Sequence, residues 1–116
     1  MSQEIQTLNF NDAASHVELQ RNAANSYIVN PVRTDQNANV TALLSEIKLL
    51  RAAVAAILES GVSQDVNYAD ASAYTALSAS GSSFIFNTVR SGQNVNITAT
   101  RDEMEALLDL LDVIQL

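Results

Sequence analysis

Residues 40–60, VTALLSEIKLLRAAVAAILES, carry the strongest periodic signal in the chain. Leucine, alanine, glutamate, lysine and arginine are strong helix formers, Asn37 or Asn39 can cap the start, and Gly61 can close the end. Val40, Leu43, Ile47, Leu50, Val54 and Ile57 recur at alternating spacings of three and four residues, the a and d positions of successive heptads. Glu46 then falls at g and Arg51 at the following e, where opposite charges meet across a parallel pair of chains. The stretch predicts a coiled-coil oligomerisation helix over 40–60. Valine and isoleucine at a with leucine at d suit a dimer, but Ile57 at d and the apolar e residues Leu44 and Leu58 widen the seam towards a homotrimer. The competing reading is an amphipathic helix packed inside its own domain, with Ala52, Ala53, Ala55 and Ala56 admitting another element closely.

Upstream, residues 1–39 hold seven asparagines, four glutamines and the only proline, Pro31, without a sustained apolar period. This reads as an extended N-terminal arm. Within it, residues 12–20 can make a helical turn or two, and Ser26-Tyr27-Ile28-Val29 looks like a short strand ended by Asn30-Pro31. Tyr27, Ile28, Val29 and Pro31 are the anchor candidates of that arm.

Downstream, residues 61–83 are rich in alanine and serine and read as a connector. Residues 84–99 read as a hairpin, with Phe84, Phe86 and Thr88 on one face of the first strand and Val95, Ile97 and Ala99 on one face of the second. A two-stranded sheet needs a cover. The last helix can supply it: Thr100 and Glu103 form a capping box, and Met104, Leu107, Leu108, Leu111 and Ile114 line one face. Residues 84–116 are thus expected to form a hairpin-helix module. No internal repeat is apparent. The fold class expected is α+β, mostly helical.

Composition narrows the function. Thirteen acidic against six basic residues give a net charge of −7, which repels phosphate backbones and argues against nucleic-acid and anionic-membrane partners. The start, MSQEIQTLNF, has neither a basic segment nor a long apolar run, so synthesis in a cytoplasm is the expectation. With no cysteine, thiol chemistry and zinc-thiolate sites are unavailable. The single histidine, His16, lies in the polar arm, and Gly61, Gly81 and Gly92 are too far apart to cradle a phosphate. Asp102 and Glu105 are helix-surface neighbours with nothing to raise a carboxyl pKa. No catalytic residue, cofactor or metal ligand is expected. Asp109 and Asp112 oppose the helix dipole, which reads as a solvated face, with docking of a basic partner as the alternative.

A polar arm, a short coiled coil, a serine-rich connector and a compact end resemble the small structural proteins of tailed bacteriophages, the head-fibre, capsid-decoration and tail accessory proteins. The strand-to-helix ending NITATRDEMEALLDLL is similar to the endings of many small phage proteins. The resemblance implies a virion location, with residues 1–39 anchored to a capsid or other virion protein and residues 40–57 as a trimer stalk. The alternatives are a small acidic phage-type inhibitor of a basic site on a host protein, and a bacterial oligomeric scaffold.

Overall fold

Residues 32–43, VRTDQNANVTAL, and residues 89–100, VRSGQNVNITAT, align without a gap and are identical at seven of twelve positions. The computed structural model, which describes residues 5–115, gives both stretches the same form: a tight turn and a last strand leading into a helix. The chain is therefore a tandem repeat, which corrects the reading that it holds none. Its first half runs β1 (Gln6–Asn9), a 3-10 turn (Asp12–Ala14), β2 (His16–Ala23), β3 (Ser26–Arg33), β4 (Gln36–Asn37), β5 (Val40–Ala42) and α1 (Leu44–Ser60). The second runs β6 (Gln64–Asn67), a 3-10 turn (Asp70–Ser72), β7 (Tyr74–Ser80), β8 (Ser83–Arg90), β9 (Gln93–Ala99) and α2 (Arg101–Val113).

Each half builds one antiparallel sheet in the same order, β1-β2-β3 followed by β4 and β5, and β6-β7-β8-β9. Registers correspond: Leu19 faces Val29 as Leu77 faces Phe86, and Tyr27 faces Ala42 as Phe84 faces Ala99. Two differences have local causes. A bulge between Arg21 and Ala23 adds a residue to the first half. Pro31 has no N–H to donate, so the strand opposite it splits into β4 and β5, and the Ala38 N–H reaches the Pro31 carbonyl at 3.2 Å.

The buried faces repeat as well. Ile47, Leu50, Val54 and Ile57 of α1 correspond to Met104, Leu107, Leu111 and Ile114 of α2, and all eight are buried. The helices lie against each other, and each also covers the opposite half's first strand: α1 packs on β6 and β7, and α2 on β1. Gly61 ends α1 in the left-handed conformation at φ 72°, donating its N–H to the Ile57 carbonyl.

This architecture corrects the expected fold. The chain is mostly β, and no coiled-coil helix is present among the described residues. The three-and-four spacing in 40–60 is that of a core-facing helix. Ile47, Leu50, Val54 and Ile57 spend their apolar surface on the chain's own interior, Val40 is a buried residue of β5, and Leu43 is the exposed residue before α1. Residues 5–39 hold β1 to β4 and a 3-10 turn rather than an extended arm, and the helical turns expected over 12–20 are that 3-10 turn and the start of β2; residues 1–4 of the expected arm lie outside the described residues. The 61–83 connector is β6, a 3-10 turn, all of β7 and the first residue of β8. Asparagine, glutamine, serine and threonine on the outer faces of these strands dilute the alternating apolar signal, which is why they read as polar linkers.

Candidate functional site

The residues with most chemical potential cluster where the two halves meet, in two equivalent latches. Asp12 accepts a bidentate pair of bonds from Arg33, from Nε at 3.1 Å and Nη2 at 3.2 Å, and its Oδ2 also accepts the Thr98 backbone N–H of the other half at 2.8 Å. Asp70 repeats this with Arg90, at 2.8 and 3.0 Å, and the Thr41 N–H at 2.9 Å. The capping glutamates complete each latch. Glu46 accepts the Leu43 N–H on one oxygen and the Ala69 N–H of the second half on the other, at 2.8 Å each. Glu103 does the same with Thr100 at 2.9 Å and Asn11 of the first half at 3.0 Å. Each 3-10 turn is thus bound to the strand and helix start of the opposite half.

The turns themselves are strained. Ala13 and Ala14 lie at φ 51° and 53°, and Ala71 and Ser72 at 51° and 54°, a left-handed region disfavoured for residues with a Cβ. The latches supply the bonds that hold them there. The Arg33 guanidinium, and then the Thr98 N–H, hold the Asp12 carboxyl below the usual carboxylate range; Arg90 and Thr41 act likewise on Asp70. The carboxylates of Asp12, Asp70, Glu46 and Glu103 cross-link the halves, and each arginine holds the aspartate of its own half in place.

Beneath the second latch, Tyr68, Thr75 and Thr88 form a buried chain of hydroxyls, with Tyr68 Oη to Thr75 Oγ1 at 3.0 Å and Thr75 Oγ1 to Thr88 Oγ1 at 2.9 Å. Burial pushes the Tyr68 phenol up to about 12. The corresponding first-half residues are Phe10, Val17 and Pro31, so the repeat exchanged a whole apolar set for a self-satisfied polar one.

Grooves also lie on the outside, and two of them border α1. One, of about 440 Å³, runs between α1 and β6 and is lined by Leu49, Ala52, Ala53, Ala56 and Val66 among others. Among the described residues β6 pairs only with β7, so it is an edge strand, and Leu49 and Val62 beside it, 58% and 61% exposed, are the two most exposed large hydrophobic residues described. The other groove, of about 480 Å³, lies between α1 and α2 over Ala55, Leu58 and Leu108, with Glu59, Glu105 and Asp109 around it.

The sequence-predicted residues fall elsewhere. Glu46 and Arg51 do not face each other across a seam; Glu46 belongs to a latch, and Arg51 pairs with Asp112 of α2 at 2.9 Å, which raises the Arg51 pKa. Of the anchor candidates, Tyr27, Val29 and Pro31 are buried in β3 and Ile28 is half-buried. His16 sits on β2 with its Nε2 3.6 Å from Glu18. Among the described residues no group of three or more histidine, cysteine, aspartate or glutamate side chains is placed to hold a metal ion, and no helix is long and apolar enough to cross a membrane. Glu103 was legible as a capping residue and Glu46 was read only as a seam charge, whereas Asp12, Arg33, Asp70 and Arg90 were missed; the repeated VR-x-x-QN-x-N-x-TA pattern would have pointed to the two arginines and to Thr41 and Thr98. No family model, curated protein or solved structure matches the chain.

Proposed function

We propose that the chain is a non-catalytic structural component of a virion, of the capsid-decoration or short head-fibre kind, and that it attaches by strand pairing along β6. The observation that carries this reading is the open β6 edge beside Leu49, Val62 and the alanine-lined face of α1. An unpaired strand edge offers a row of backbone donors and acceptors to an incoming strand, and the adjacent groove takes its side chains. The occupant is an edge strand of a neighbouring virion subunit. The commitment of Asp12, Asp70, Arg33, Arg90, Glu46 and Glu103 to internal bonds supports a rigid building block, since these are the groups that acid–base chemistry would otherwise draw on.

Gradient sedimentation of lysates tests this. The chain is expected to travel with assembled particles, and Leu49→Lys with Val62→Lys, both at exposed positions, should release it without unfolding it. Wild-type protein found only in the soluble fraction would overturn the virion role and favour the soluble inhibitor. A folded double variant that still travels with particles would overturn β6 as the attachment edge.

A further inference from the structure

The α1/α2 groove differs from the attachment edge in chemistry and position. Leu58, Leu108 and Ala55 are half-buried along its floor, while Glu59, Glu105 and Asp109 are exposed around it. None of these three carboxylates makes an ion pair or side-chain hydrogen bond among the described residues. Glu105 and Asp109 stand one helical turn apart on α2, where like charges repel.

The repeat supplies an internal comparison. Aligning α2 on α1 places Glu105 on Lys48, Leu108 on Arg51 and Asp109 on Ala52, and Ala55 on Asp112. At that equivalent end of the helix pair the chain provides its own cations, and Arg51 clasps Asp112 through two hydrogen bonds. At the groove end the corresponding side chains are apolar or acidic. The fold thus closes one end of its helix pair by charge pairing and leaves the other as an apolar floor with an unneutralised acidic rim.

We propose that this groove receives a basic amphipathic helix from another protein. The apolar stripe of that helix would lie on Leu58, Leu108 and Ala55 as a third helix against the pair, and its lysines or arginines would meet Glu59, Glu105 and Asp109. Helix-in-groove recognition uses apolar anchors on one helical face, and the flanking charges set orientation and association rate.

The test is a titration of the isotope-labelled intact chain with a synthetic leucine/lysine peptide of helical periodicity, followed by NMR. Shifts should concentrate in residues 55–59 and 105–109. Affinity should fall about tenfold as ionic strength rises from about 0.01 M, where the Debye length is about 30 Å, to about 0.15 M, where it is about 8 Å. The triple variant Glu59→Lys, Glu105→Lys, Asp109→Lys should lose binding by more than tenfold on the same spectrum of folded resonances, whereas Asp65→Lys on β6 should bind as the wild type does. A glycine/lysine peptide of equal charge that binds equally well would overturn the proposal by showing charge attraction alone. So would shifts spread over the whole acidic surface, no binding of the leucine/lysine peptide, or unchanged binding by the triple variant. None of these results depends on whether the chain sediments with particles.

Discussion

Asp12 and Asp70 each join three pieces of chain that lie far apart in sequence. In each case an aspartate that follows a strand meets an arginine of its own half and a threonine N–H of the other. Since both carboxyls are held below their usual pKa, they take up protons less readily folded than unfolded. Their contribution is fully present above the unfolded value near 3.8 and is lost as pH falls through the lower folded value. Thermal unfolding followed between neutral pH and pH 2 should therefore show a steep loss of stability below about pH 4. Asp12→Asn with Asp70→Asn should lower stability at neutral pH and flatten that acid limb. An unchanged acid limb in the double variant would mean that other carboxylates set it.

At the scale of the element, α1 shows what periodicity can and cannot specify. Spacings of three and four mark one face of a helix, and the face they marked is the buried one: Ile47, Leu50, Val54 and Ile57 are each fully enclosed. The same spacings serve a coiled coil and a core helix, so they could not say what covers that face, and the Glu46–Arg51 charge pattern pointed to a partner chain that these residues do not need. The hairpin of β8 and β9 was legible because Phe84 and Phe86, then Val95 and Ile97, alternate cleanly around a Ser91-Gly92 turn. β2 and β7 were not, since polar outer faces and the bulge near Arg21 break their alternation, and β3 was legible only over Ser26–Val29 because Pro31 hid its continuation to Arg33. The repeat itself survives in twelve residues and is eroded where Phe10, Val17 and Pro31 answer to Tyr68, Thr75 and Thr88. For α1 the buried placement predicts that Ile47→Ala costs about 2–5 kcal/mol through lost packing and a residual cavity. It should do so without changing the mass of the folded species in solution. Arg51→Gln, at an exposed ion pair, should leave unfolding nearly unchanged. A shift of the folded species to lower mass on Ile47→Ala would restore an intermolecular role for that face.

At the scale of the molecule, the two halves are bound by exchanged contacts: α1 seals β6 and β7, α2 covers β1, and each turn is latched to the other half's last strand and helix. Neither half can bury its own sheet alone. Fragments 1–61 and 62–116 should each lack a cooperative unfolding transition when separate, and should recover one when mixed. The repeat also permits self-pairing, because a second copy of 62–116 would offer Thr98 where Thr41 meets Asp70, and Glu103 where Glu46 meets Ala69. The mixed pair should nonetheless win. Ala52, Ala53 and Ala56 line the face of α1 beside β6, and the matching positions of α2 hold Asp109, Leu110 and Val113, whose bulk and charge fit that place poorly. Native mass spectrometry of an equimolar mixture should show mainly the 1–61 with 62–116 pair. Asp12→Ala in the first fragment or Asp70→Ala in the second should weaken that pair, by the loss of one inter-half hydrogen bond to a charged acceptor in either case. Hydrogen exchange at Phe86 as slow in fragment 62–116 alone as in the intact chain would refute the exchanged architecture, because β8 would then need nothing from the first half.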